Sequence, residues 1–240
     1  MRNHEVTQRH QLLDLNGRLM EPGWSKDLVQ VYDRRAIKAP KFRIKEWDYY
    51  LVLSDQFACA FTLSDDGYIG LQSVSLLDFT KPWEHTETIL NAFPMGKMKM
   101  PSTSAKGNVV YRDKRLAMEF IKTDGQRRIR CDFKNFCDFL NRDTIEGHLL
   151  LTQEPEESMV ICTPFDKPGH FYYNQKINCM RASGRAVFDG KEYVFHPETD
   201  FGTLDWGRGV WTYDNRWYWG SGNGVVNGKP FGFNIGYGFG

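Results

Sequence analysis

The chain has no run of like charge, no apolar stretch of membrane-spanning length and no metal-type pairing of histidine or cysteine, and each absence removes a class of function. Its 31 Lys and Arg nearly cancel 30 Asp and Glu, leaving a formal charge of +1 spread along 240 residues. That pattern excludes a nucleic-acid footprint and a polybasic membrane anchor. The opening residues, Met1 to Asn16, are polar, so neither a signal peptide nor an integral membrane segment is expected. Cys59, Cys131, Cys137, Cys162 and Cys179 are odd in number and contain no Cys-x-x-Cys, which predicts reduced thiols and a cytoplasmic protein. The histidines (His4, His10, His85, His148, His170, His196) show no i, i+2 or i, i+4 pair, so neither a metal nor any other cofactor is expected. Gly220-Ser221-Gly222-Asn223-Gly224 lacks the Lys-Ser/Thr of a phosphate loop and reads as a hairpin loop. Gly-x-Ser-x-Gly is absent too.

What the chain has in quantity is aromatic residues, 15% of the total, and 22 glycines. The combination favours twisted sheets over packed helices. Residues Arg2 to Lys26 read as a turn-rich arm with little core of its own, suited to lie across a barrel mouth. Regular structure is expected from Lys41, where Phe42 to Leu53 alternates and then becomes apolar on both faces. Phe57 to Leu63 and Tyr68 to Phe79 form a hairpin around Asp65-Asp66-Gly67. Trp83 to Pro101 stays open between a short helix over Glu87 to Phe93 and a loop feeding a strand. Val109 to Tyr111, Leu116 to Lys122 and Arg127 to Phe133 follow as strands. Lys134 to Asn141 is compatible with a two-turn helix, and strands resume at His148 to Thr152 and Met159 to Thr163.

Pro164 to Pro168 suggests a domain boundary, giving an N-terminal barrel over 1–165 and the start of a second β-domain over 166–240. Phe171 to Phe195 reads as a long strand, a bend at Ser183-Gly184 and a hairpin on Asp189-Gly190, whose type I′ turn needs positive φ at both central residues. The last ten residues place Phe231, Phe233, Ile235, Tyr237 and Phe239 on one face and mostly glycine on the other. Such a strand wants neighbours, and the expectation is a piece of a longer protein with its second barrel incomplete.

The most unusual stretch is Gly202-Thr203-Leu204-Asp205-Trp206-Gly207-Arg208-Gly209-Val210-Trp211, followed by Arg216-Trp217-Tyr218-Trp219-Gly220. A carboxylate among indoles in a water-poor pocket has its charged form disfavoured, which makes a general acid near neutral pH. Asp205 is therefore the candidate catalytic residue. Its candidate ligand-binding neighbours are Trp206, Arg208, Trp211, Tyr213, Trp217, Tyr218, Trp219 and Tyr173. The alternative is that Asp205 and Arg208 form a satisfied ion pair bracing a tight glycine-rich turn, and that the rings are core filling.

Tyr172-Tyr173-Asn174-Gln175, Gly184-Arg185-Ala186-Val187, Gly190-Lys191-Glu192-Tyr193, Leu204 to Gly209 and Trp217-Tyr218-Trp219 together resemble a family defined as a domain of unknown function. Tyr32 to Pro40 and Arg43 to Tyr50 resemble its N-terminal signature. That family is distantly similar to the carotenoid 1,2-hydratases and related cofactor-independent cyclases. The resemblance implies an all-β fold of lipocalin-like (calycin-type) antiparallel barrels, two in tandem. It also implies an aspartate that protonates an alkene before a Trp-x-Trp pair, and Asp205, Gly209, Trp217 and Trp219 fall on that pattern. The hydratase motif carries histidine directly after the aspartate, where this chain has Trp206.

Two readings follow. One is a cofactor-free hydratase, lyase or isomerase acting on a hydrophobic small molecule; the other is a carrier of a lipid or terpenoid-like ligand. A third, carbohydrate binding or hydrolysis, requires an open indole platform and a second carboxylate from Asp200 or Asp214. The oligomeric state is left open.

Overall fold

A computed structural model describes residues 3–238. Three short strands, β1 (His10–Gln11), β2 (Gly23–Ser25) and β3 (Gln30–Val31), open the chain, followed by two single 3-10 turns, Arg34–Ala36 and Lys41–Arg43. The remaining strands are β4 (Ile44–Leu53), β5 (Phe57–Asp65), β6 (Ile69–Asp78), β7 (Trp83–Ala92), β8 (Val109–Arg112), β9 (Leu116–Thr123), β10 (Gln126–Lys134), β11 (Thr144–Thr152), β12 (Met159–Pro164), β13 (Phe171–Phe188), β14 (Lys191–Phe195), β15 (Phe201–Val210), β16 (Tyr218–Val226) and β17 (Lys229–Tyr237). Ten of them pair in the order β7-β6-β5-β4-β15-β13-β11-β10-β9-β8, and β2, β12 and β14 join the same sheet through β13.

The sheet is antiparallel and curls into a half-barrel. Side chains rather than a backbone ladder bridge its two edges: Asn91 on β7 donates to the Tyr111 hydroxyl on β8 at 3.0 Å, and Glu87 on β7 pairs with Arg115, just before β9, at 2.8 Å. The concave side is the core, where Leu63, Val74, Leu116, Ile129, Leu149 and Leu204 meet. Alternation produces this: on β4 the residues Ile44, Glu46, Asp48, Tyr50 and Val52 are buried inside, while Lys45, Trp47 and Tyr49 are half-buried on the outer face.

The interior holds charge as well as hydrocarbon. Arg208 on β15 is 0% exposed. Its guanidinium donates to Asp48 at 3.0 Å and to the carbonyls of Trp47 at 2.7 Å, Gly207 at 2.8 Å and Pro101 at 2.8 Å. It also stacks 4.2 Å from the centre of the Trp206 ring. Glu46 beside it accepts from the Tyr32 hydroxyl and from Arg34. A buried cation so fully bonded ties the Pro101 loop and the N-terminal segment to the barrel wall.

Several expectations meet a different outcome. Trp83 to Ala92 is strand along its whole length, paired to β6. Lys134 to Asn141 does not form a helix: the Asp143 carboxylate accepts the amides of Cys137 and Asp138, and Asp138 accepts those of Leu140 and Asn141. Side chains that satisfy the backbone locally compete with the helical ladder. The arm buries Val6, Leu12 and Leu13, and β2 extends the sheet through β12; Arg2 lies outside the described residues.

Strand pairing crosses residue 165, since β12 pairs with β13 and β15 lies between β13 and β4. Ser183-Gly184 does not end β13, which runs on to a turn with φ of 51° at Asp189 and 71° at Gly190. What stands apart is the hairpin β16–β17, a separate two-stranded sheet. It docks on a bulge in β13 where the register shifts between Ile177 and Met180 and Cys179 takes a φ of 59°. There Asn178 donates to Ser221 and Asn223, the Cys179 amide donates to Asn223, and Asn234 donates to Asn178. Amides and the Trp219 ring, edge-on to Tyr49 at 6.1 Å, hold the hairpin; Phe231, Phe233 and Ile235 are exposed. Phe239 and Gly240 lie outside the described residues.

Candidate functional site

The space between the outer face of the sheet and this hairpin contains the candidate site. Cross-strand partners point to the same side, so the register fixes the floor. One row reads Ile161, Asn174, Gly207, Trp47, Ser64 across β12, β13, β15, β4 and β5; the next reads Met159, Lys176, Asp205, Tyr49, Thr62. Lys176 and Asp205 are thus direct neighbours across the ladder.

Asp205 is 9% exposed and both its oxygens are engaged. Oδ2 accepts from Lys176 Nζ at 2.5 Å, and Oδ1 accepts from Asn174 Nδ2 at 2.5 Å and from Trp47 Nε1 at 3.2 Å. Gly207 makes the third bond possible. A Cβ at that position would lie 2.0 Å from the Trp47 ring, so only glycine lets the indole lie across β15 and reach the carboxylate. Trp47 is held from its other side by stacking on Tyr172, with centroids 6.0 Å apart and planes 14° from parallel.

Above the pair, Lys176 Nζ lies 4.1 Å from the centre of the Trp219 ring. Burial is the main influence on Lys176 and lowers its pKa from 10.5, with Asp205 pulling the other way. Burial, reinforced by Asp205, pushes the Tyr49 phenol up to about 12. The resulting cavity measures about 230 Å³, is partly open to solvent, and has Trp47, Trp211, Trp217 and Trp219 among its walls.

Lys45 and Asp66 line the cavity as well. Asp66 has one long contact to the Ser64 hydroxyl, 3.4 Å, and burial raises its pKa to about 6 against the opposing charge of Lys45. The isolation expected of Asp205 is thus found at Asp66, whereas Asp205 is surrounded by donors.

Asp205, Trp211, Trp217 and Trp219 are brought together here. Trp206, Arg208 and Tyr173 are not: alternation turns them to the barrel interior, where Tyr173 donates to the Gln30 carbonyl at 2.9 Å and Trp206 packs edge-on against Tyr173 and Tyr32. The partner expected for Asp205, Arg208, pairs with Asp48 instead. Tyr213 is exposed, with the Arg43 guanidinium over its ring at 3.8 Å, and Tyr218 borders a neighbouring cavity. Asp200 is engaged by Thr199 and the His196 amide, and neither it nor Asp214 lines the Asp205 cavity.

The residues not anticipated are Lys176, Trp47, Asn174, Lys45 and Asp66. Lys176 is 29 positions and Trp47 158 positions from Asp205, so only strand register shows that they meet. Among the described residues no three His, Cys, Asp or Glu side chains converge as metal ligands do. No helix is long and apolar enough to cross a membrane.

The family described as Domain of unknown function (DUF2804) matches residues 3–240. The chain belongs to this family. No curated protein matches the sequence significantly. Among solved structures, an AttH-like protein of Nitrosomonas europaea is similar at 16% identity and a TM-score of 0.47, over 79% of this chain and 59% of that one. Kievitone hydratase from Nectria haematococca is similar at 8% identity and a TM-score of 0.39, over 96% of this DUF2804 chain and 70% of the hydratase.

Proposed function

We propose that the groove carries out cofactor-free proton transfer on a hydrophobic small molecule, as a hydratase, lyase or isomerase, with Lys176 and Asp205 as the reacting pair. The observation behind this is the placement of a buried lysine and a carboxylate 2.5 Å apart on the wall of an indole-lined cavity. Burial favours the neutral amine of Lys176, the form that accepts a proton from carbon. Asp205 holds the ammonium in its ion pair and orients the amine once the proton has left. Asp66, able to hold its proton up to about pH 6, is a second exchangeable acid in the same cavity. When Asp66 first protonates the substrate, the indole faces favour the positive charge that develops, and the amine then takes a proton from the adjacent carbon.

A carrier role is the second reading, favoured by the complete set of donors around Asp205, which is also how a structural ion pair is built. The five unpaired thiols, four of them buried, suit a reducing compartment such as the cytoplasm. We take the separate hairpin β16–β17 as the opening of the second lipocalin-like unit.

The test uses small molecules extracted from the protein after expression in cells, returned to fresh protein in deuterated water. The proposal expects solvent deuterium, or the mass of one water, to appear in the extracted compound. Lys176→Met and Asp205→Asn should slow this by about 100-fold or more. Unlabelled, unaltered compound recovered from the wild type would establish the carrier and overturn the enzyme.

A further inference from the structure

Lys176 and Trp219 border a second cavity of about 760 Å³ as well as the first. Its floor continues the same outer face: Met159 on β12 pairs in register with Lys176, and Ile161 and Thr163 follow on the same side. Trp219, Asn234 and Gly236 of the hairpin form the opposite wall, and the largely exposed Tyr218 and Tyr237 border it. The volume falls within the range of small-molecule sites, roughly 300–1,000 Å³.

Charge distinguishes this cavity from the smaller one. It has no Asp or Glu in its lining, and its two cations are Lys176 and Arg216. Lys176 is already paired with Asp205, whereas exposed Arg216 makes no ion pair among the described residues. An unpaired guanidinium beside an apolar hollow selects an anionic group attached to an apolar chain.

We infer that the larger cavity binds an amphiphile with an anionic head, the head at Arg216 and the chain running past Trp219 and Lys176 toward the indoles. The two cavities meet at Lys176, so the bond presented to the amine lies within the chain and not at its end. This placement of the reacting bond rests on the proton-transfer reading. The binding itself does not, because occupancy is measured without turnover.

The experiment titrates wild-type protein with laurate, dodecyl phosphate and dodecanol, followed by quenching of tryptophan fluorescence. The inference expects the two anions to bind at least about tenfold more tightly than the alcohol. Arg216→Gln should erase that preference while leaving dodecanol unchanged. A difference between the two anions identifies the head as carboxylate or phosphate. Met159→Trp, which fills the cavity, should weaken all three by about tenfold, and Arg216→Gln gives an independent reading should Met159→Trp misfold. Equal affinity for anions and alcohol, or no effect of Arg216→Gln, would overturn the inference. Turnover lost with anion binding intact counts against the enzyme reading alone.

Discussion

The two faces of β15 hold two buried ion pairs that differ in what surrounds them. Inside, Arg208 and Asp48 are enclosed by carbonyls and the Trp206 ring. Outside, Lys176 and Asp205 adjoin a cavity and carry an indole for a roof. The comparison separates a pair that closes structure from a pair left within reach of a ligand, although the two are built from neighbouring residues of one strand.

The largest effect expected from breaking this comparison is on the inside. Arg208→Met should cost about 3–5 kcal/mol in urea unfolding, because it strands Asp48 and deprives the Pro101 carbonyl of its donor. Next comes Gly207→Ala, whose methyl displaces Trp47; about 1–3 kcal/mol of stability should be lost, with a change in tryptophan emission. Lys176→Met should cost only about 1 kcal/mol, since Asn174 and Trp47 still donate to Asp205. Equal losses for Arg208→Met and Lys176→Met would erase the distinction between the faces.

The smallest expected effect is a pH dependence. The folded state holds the Asp66 proton to about pH 6, above the unfolded value of 3.8. Folding therefore binds a proton between those values, and stability from this group is present at low pH and lost as pH rises through about 6. Asp66→Asn cannot titrate, so its melting temperature should gain on the wild type between pH 4 and 7. Parallel melting curves across that range would show that Asp66 is solvated like an ordinary surface acid.

Much of the fold is legible in the residues. Period-two alternation marks β4, β5 and β13, and Asp189-Gly190 specifies its turn. The site is legible only in part. Residues 202–210 look like a glycine-rich turn in sequence, yet they lie in a fully buried strand; Gly207 is there to admit an indole from β4. Proximity in sequence merges two faces that alternation keeps apart, which is why the sequence groups Trp206 and Arg208 with Asp205. Lys176 is not legible in the sequence because its significance depends on lying opposite Asp205, and Asp66 is not because Asp65-Asp66-Gly67 is also a good turn.

The most direct measurement is the titration of the Lys176 side-chain nitrogen by NMR in protein labelled with 15N-lysine, its signal assigned by loss in Lys176→Met. The account predicts a midpoint below 10.5, with the amine responding to added laurate. A lysine that stays protonated beyond 10.5 and ignores the amphiphile would make the outer pair as closed as the inner one, and the groove no more than a seam between sheet and hairpin.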